Sequence, residues 1–190
     1  MVDPMSAGTL VAIIVPVVVV LAALAVVVWM LARRRRLRER FGPEYDRAVA
    51  EDGSRLAAER ELRERETRHE EMEIKPLPPS TRQRYAEDWT RVQEHFVDRP
   101  EETVREADRL VTSLMGERGY PTGGFQQQAR DLSVRHARTL EHYRAAHAVD
   151  ERAVRHQATT EELRGAMVHY RALFDDLLED GQERPSGDRS

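Results

Sequence analysis

Residues 10–32 read LVAIIVPVVVVLAALAVVVWMLA, a run of 23 residues without a single charge. A helix that crosses the hydrocarbon core of a bilayer needs about 20 such residues. In lipid the backbone must satisfy its own hydrogen bonds, so an isolated segment of this kind has helix as its only solution. Pro16 falls in the second turn of the run, where it is tolerated and would at most kink the outer end. Trp29 lies near the other end, where an indole favours the interface. Before the run the only charge is Asp3; after it stand Arg33, Arg34, Arg35, Arg36, Arg38 and Arg40, with Glu39 alone opposing them. Arginine-rich flanks stay on the cytoplasmic side. The expectation is a single-pass protein of the inner membrane, with residues 1–9 outside and everything after the span in the cytoplasm. A cleaved signal peptide is the competing reading, with Ala23-Leu24-Ala25 as the cleavage site. The segment ahead of the run lacks Lys and Arg, and the apolar stretch continues past Ala25, which argues against it.

The same six arginines would draw anionic lipid headgroups, at about 1 kcal/mol per basic residue near the surface. They do not read as a nucleic-acid site, because no aromatic residues are interleaved with them and the chain as a whole carries net charge −4. Cysteine is absent, which excludes disulfides and thiolate-bound zinc. Lys75 is the only lysine, a bias that points to a GC-rich bacterial genome.

Outward from the span, residues 33–75 read as a basic juxtamembrane segment followed by a charged helical stalk. Phe41-Gly42-Pro43 interrupts the first helix, and Pro43 is well placed to start another. Gly53-Ser54 divides the stalk. Glu59–Arg63, Glu61–Arg65 and Glu64–Arg68 are i,i+4 pairs in the favourable order. Large apolar residues are sparse, with Leu56 and Leu62 followed by little before Met72, so a solvated spacer is expected. A strong coiled coil would need filled a and d positions over several heptads; weak self-association through the stalk is the alternative. Residues 76–80, within Lys75-Pro76-Leu77-Pro78-Pro79-Ser80, predict an extended linker.

Residues 81–180 show helical periodicity and no sustained alternation. Ser80 and Gln83 have capping-box spacing. Tyr85, Trp89, Val92 and Phe96 then follow at +4, +3, +4 and draw an aromatic stripe. Asp98-Arg99-Pro100-Glu101 stops that helix and opens the next, whose stripe is Val104, Ala107, Val111 and Leu114. The glycines of Gly119-Tyr120-Pro121-Thr122-Gly123-Gly124 give a loop. Phe125 to Leu132 is a short helix. Ser133 is expected to cap a longer one over 134–155, with Leu140, Tyr143, Ala146 or His147, and Val154 facing inward. Thr159 and Glu162 form a second capping box, ahead of Leu163, Met167, Tyr170, Phe174 and Leu177. Asp180-Gly181 ends it, and 181–190 reads as a disordered tail. The fold class is therefore all-α: one transmembrane helix, a charged helical stalk and a C-terminal antiparallel bundle. Tyr85, Trp89 and Phe96 are expected to meet Tyr170 and Phe174 in the core; an aromatic binding groove is the alternative.

No catalytic arrangement emerges. HExxH, GxSxG and phosphate-loop patterns are absent. His136 and His147 stand eleven residues apart, without the i,i+4 pair that a helix-borne zinc site usually uses. Neither cofactor nor metal is expected. The segments DLSVRHARTLEHYRAAHAV (131–149) and TTEELRGAMVHYRALFDDLLE (159–179) resemble a group of bacterial, chiefly actinobacterial, proteins described as hypothetical membrane or secreted proteins, the likeness extending from Phe41 to Glu179. That resemblance implies a lineage and no activity. The function expected is a non-enzymatic, membrane-anchored module for scaffolding or protein interaction with an unknown protein partner. The alternative is a domain that senses a small molecule or a metal.

Overall fold

A computed structural model describes residues 7–180, with side chains for 15–51 and 53–180. Most of the segment 1–9 and all of the tail 181–190 lie outside the described residues. Among the described residues the chain is all-helical, with eight helices and no strand.

Helix α1 (Ala7–Phe41) runs 35 residues straight through Pro16, which is about 52 Å at 1.5 Å per residue. It is long and apolar enough to cross a membrane. Every described side chain from Val15 to Ala32 is exposed. A helix that is apolar all round and touches nothing would be costly in water and is suited to lipid. About two fifths of its length lies beyond what a hydrocarbon core of about 30 Å accommodates, and the arginines fall at its C-terminal end.

Gly42, at φ 50°, turns the chain, and Pro43 opens α2 (Pro43–Asp52) at its first position. Gly53 turns it again, at φ 63°, into α3 (Arg55–Glu71). The break at Gly53-Ser54 is therefore as expected, but the segment is not a solvated spacer. Helices α2 and α3 pair and close over the end of α1. Leu37, Phe41, Tyr45, Ala48, Ala58 and Leu62 are buried together, joined by Val134 from the following domain. The reason is size and economy: the apolar positions are few, but two are alanines that let helices approach, and the bulk comes from Phe41 and Tyr45. The Tyr45 hydroxyl donates to Glu59 Oε1 at 3.1 Å inside this cluster.

Residues 72–78 are non-helical, as Pro76 and Pro78 favour, yet they are pinned. Leu77 is buried, Met72 and Ile74 pack on the main core, and the Lys75 N–H donates to the Arg118 carbonyl at 2.9 Å. Helix α4 (Pro79–His95) starts at Pro79, whose fixed φ suits the first turn. Ser80 is thus already inside the helix, and the cap expected from Ser80 and Gln83 does not form. Next come α5 (Pro100–Arg118), α6 (Phe125–Leu132), α7 (Ala137–Val154) and α8 (Thr160–Glu179). Ser133 ends α6 instead of opening α7, its hydroxyl donating to the Arg130 carbonyl at 2.6 Å, and His136 precedes the first turn of α7. Helix α8 lies against α5 and α7, and α4 against α5. The predicted stripes of α5 and α8 are buried throughout. On α7 the inward residue near the end is Ala153; Val154 is 57% exposed. The Thr159–Glu162 capping box is formed from both sides.

The linker's close approach explains Gly119. It ends α5 at φ 96°, and a Cβ there would lie 2.4 Å from the Glu73 carbonyl oxygen. Gly119→Ala must adopt a left-handed conformation and also push the linker away. We expect a loss of about 1–3 kcal/mol, read as a lower Tm of the full chain in detergent micelles. An unchanged Tm would mean that the linker is not held against α5.

Candidate functional site

Three polar centres stand out from the helical frame. The first is the basic end of α1. The Arg33 guanidinium lies 4.9 Å from the centre of the Trp29 ring, and Arg36 is exposed. Arg35 pairs within its own helix to Glu39 at 2.8 Å. The other three reach the paired helices: Arg34 to Glu59 at 3.1 Å, Arg38 to Asp46 at 3.1 Å and Arg40 to Glu66 at 3.0 Å. The Arg38–Asp46 pair is solvated and worth at most about 1 kcal/mol, whereas Arg34 and Arg40 reach carboxylates that are largely buried. Phosphate headgroups could compete for the same guanidinium groups.

The second centre is a groove of about 400 Å³ between the α2–α3 pair and α6–α7, edged by Arg47, Arg65, Arg130 and Arg144. Beside it Glu44, 1% exposed, receives both arms of Arg144, one of them at 2.9 Å, with Arg65 at 3.9 Å. Burial raises the Glu44 carboxyl, and Arg144 recovers only part of that shift. A charge that costly to bury is retained because it ties α2 to α7, 100 residues away in sequence. Phe125 lines the groove, its ring stacked on His147 at 3.8 Å and 8°.

The third centre joins the ends of α5 and α8. Arg118, 1% exposed, donates to the carbonyls of Leu177 and Asp180 and to the Asp180 carboxylate, each at 2.6 Å. Next to it the Tyr120 hydroxyl lies 3.1 Å from His136 Nε2, and His136 Nδ1 lies 2.8 Å from Asp176 Oδ2. Thr139 donates to the same carboxylate at 2.5 Å. An Asp–His–Tyr chain has the form of a proton relay. Here burial pushes the Tyr120 phenol up to about 12, so it stays a neutral donor at the end of a closed line. The arrangement acts as a clamp.

Burial pushes the Asp176 carboxyl up, but the hydrogen bonds from His136 and Thr139 outweigh it and hold the group below its ordinary value. A carboxyl held low contributes stability that is complete above about pH 3.9 and is lost as pH falls through the depressed folded value. Glu44 and Asp150 run the other way, because burial holds both above the ordinary range. The informative comparison is therefore the full chain against Asp176→Asn in micelles. The higher Tm of the unmutated protein at neutral pH should shrink as pH falls below about 4. A gap that stays constant on the acid side would show that Asp176 contributes no charge-linked stability.

The aromatic residues singled out in the sequence are core. Trp89 stacks on Phe174 at 4.7 Å and 29°. Tyr170 meets Tyr143 edge-on at 6.2 Å and donates to Asp108 Oδ1 at 2.9 Å. Tyr85 is buried and Phe96 half-buried against the same core. They do not line an open groove. Sequence reasoning passed over Glu44, Asp108, Arg118 and Asp150, and it reads Asp176 as a solubility charge on the polar side of the last helix, where the structure binds it to His136 and Thr139. For two of them a signal existed: Asp108 and Arg118 occupy helical positions in register with Val104, Val111 and Leu114, and a charge on an apolar stripe must have a buried partner. Comparison with protein-family models, with curated proteins and with solved structures found no match to this chain.

Proposed function

We propose that the chain is a membrane-anchored cytoplasmic helical module, an antiparallel bundle carried on α1, that serves as a scaffold or protein-interaction unit and not as an enzyme. The observation that carries this reading is the burial of Leu37 and Phe41, from the last turns of α1, inside the folded α1–α3 cluster. An anchor continuous with its domain presents that domain at a fixed height and angle above the bilayer, which is useful for assembly and unnecessary for a freely tethered enzyme. The six arginines at 33–36, 38 and 40 supply the inward orientation and contact with anionic headgroups. The likeness of residues 41–179 to actinobacterial hypothetical membrane proteins belongs to the same proposal, as does weak self-association.

Topology is tested first. The full-length chain should resist alkaline extraction from membranes, and a C-terminal reporter should be active only in the cytoplasm. Release of a shortened chain, or digestion of the tail by protease outside intact cells, would replace the anchor by a signal peptide or invert the topology. The interaction role is tested by photo-crosslinkers at Leu56, Val97 and Val168, large apolar side chains left in solvent. A discrete, recurrent protein adduct at one of them is expected; none at any position would count against the scaffold. A sensing role is the second reading, and one side-chain cluster favours it.

A further inference from the structure

We propose that Asp108, His147 and Asp150 form a binding site for a divalent transition-metal ion, held by one imidazole nitrogen and two carboxylate oxygens. The site goes beyond the scaffold reading and does not rest on it. His147 and Asp150 are three residues apart on α7 and share a face, while Asp108 approaches from α5. One donor atom from each lies within 4.8 Å of the other two. Donors that share an ion at about 2.0–2.2 Å each stand roughly 3–4 Å apart. The separation of His147 Nδ1 from Asp108 Oδ1 is 3.8 Å, too long for a hydrogen bond and suited to an ion between them.

An independent observation concerns atoms that lack partners. His147 Nδ1 and Asp150 Oδ1 are both shielded from solvent, and neither has a hydrogen bond. Buried polar atoms are nearly always satisfied, and an orphan calls for an explanation such as an ion. Two such atoms, on ligand-type side chains of one cluster, are explained together by one cation. Nearby groups also hold the ligands in place, as neighbours of the ligands do at metal centres. The Tyr170 hydroxyl fixes Asp108 at 2.9 Å. The Phe125 ring, parallel to His147 at 3.8 Å, sets the plane of the imidazole. The exposed side of His147 opens to the groove beside α6, an entry path for a hydrated ion.

The competing account is that a protonated His147 balances the carboxylates by itself. Its proton is favoured by Asp108, while burial and Asp108 together push the Asp150 carboxyl up. In either account the pocket wants positive charge. The donor set selects the ion class. An imidazole disfavours Ca²⁺ and Mg²⁺, and the lack of thiolate disfavours Cu⁺ and iron–sulfur clusters, which leaves the divalent first-row ions Mn²⁺, Fe²⁺, Co²⁺, Ni²⁺, Cu²⁺ and Zn²⁺. Three protein ligands leave a position for water or a second ligand.

The test uses the full chain in detergent micelles, purified without a histidine tag and stripped with chelator. Zn²⁺ is titrated calorimetrically and Co²⁺ by its visible absorption. One equivalent should bind, and Zn²⁺ at about 100 times Kd should raise Tm by several degrees. Asp150→Asn and Asp108→Asn keep the side-chain shape. Asp150→Asn also removes a like charge, so the metal-free variant should fold, as circular dichroism would show. Each should weaken binding by about a hundredfold or more, beyond the roughly 10–100-fold typical when a residue that only supports a ligand is changed. The exposed pair His142 and His169, whose Nδ1 atoms lie 2.9 Å apart, provides the control: His142→Ala with His169→Ala should leave affinity unchanged. No saturable binding below millimolar ion would leave the protonated His147 as the cation and overturn the proposal. Binding that survives Asp150→Asn and vanishes in the double histidine variant would overturn it equally.

Discussion

Trp89→Ala is expected to lower the unfolding free energy by about 3–5 kcal/mol, the range for deleting a fully enclosed aromatic side chain. Trp89 is 1% exposed. Its ring lies on Phe174, with centroids 4.7 Å apart, so the indole is what joins α4 to α8. The Arg171 guanidinium, 5.6 Å from the ring centre, covers its outer side. The indole Nε1 has no hydrogen-bond partner, so the loss on truncation is one of packing and stacking. That distinction makes a second variant informative. Trp89→Phe keeps a ring against Phe174 and discards an unsatisfied donor, so it should cost less than about 1.5 kcal/mol. Phe96→Ala, at a half-buried site, should fall between the two. The measurement is guanidinium unfolding of the full chain in micelles, followed by far-ultraviolet circular dichroism. A domain of this size has roughly 5–15 kcal/mol in hand, so Trp89→Ala should move the midpoint visibly. A loss under about 1 kcal/mol would place Trp89 on a hydrated surface, and the α4–α8 contact would be wrong.

Trp89 was legible because period and size agreed. Residues at +4 and +3 spacing fall on one face, and nothing as large as an indole is spared burial when its neighbours on that face are Tyr85 and Val92. The same agreement made α8 readable from Leu163 to Leu177, with Thr159 and Glu162 marking its start: Glu162 N–H donates to Thr159 Oγ at 3.3 Å and Thr159 N–H to Glu162 Oε2 at 2.8 Å. Spacing without local support misled at two serines. Ser80 was outcompeted by Pro79, whose ring had already set the first turn. Ser133 turned its hydroxyl back to the helix that it ends.

The pairing of α2 with α3 was hidden for another reason. Ala48 and Ala58 bury little area each, Leu62 is the one large apolar side chain buried on α3, and a pattern that weighs large side chains reads that helix as polar nearly all round. The cluster closes only because Leu37 and Phe41 arrive from the end of α1, an association that no local window contains. The Asp108, His147 and Asp150 group was hidden by distance along the chain, although Asp108 stood on the stripe of α5. The general lesson concerns charges inside apolar stripes. They mark places where a second element must bring a partner, even when the sequence does not say which.

Arg118 is the strongest instance, and Arg118→Met should cost about 3–5 kcal/mol, as expected when one member of a buried pair is removed. The last carbonyls of any helix lack intrahelical donors and concentrate negative potential. At the end of α8 those groups belong to Leu177 and Asp180, and Arg118 serves both as well as the Asp180 carboxylate. Methionine fills similar space but leaves all three acceptors without this donor. Arg135, which pairs with Asp180 at 2.8 Å, compensates in part and pulls the expected value toward the lower end. Arg118→Lys retains the charge, but an ammonium on a flexible stem lacks the planar fork that meets three acceptors at once, so its loss should be intermediate. Adding Asp180→Asn to Arg118→Met removes the stranded carboxylate, and the double variant should be more stable than the sum of the singles predicts. Unfolding of all four chains in micelles reads the outcome. Strict additivity, or a loss below about 1 kcal/mol for Arg118→Met, would mean that water already hydrates the end of α8 and that α5 and α8 are held by their apolar stripes alone.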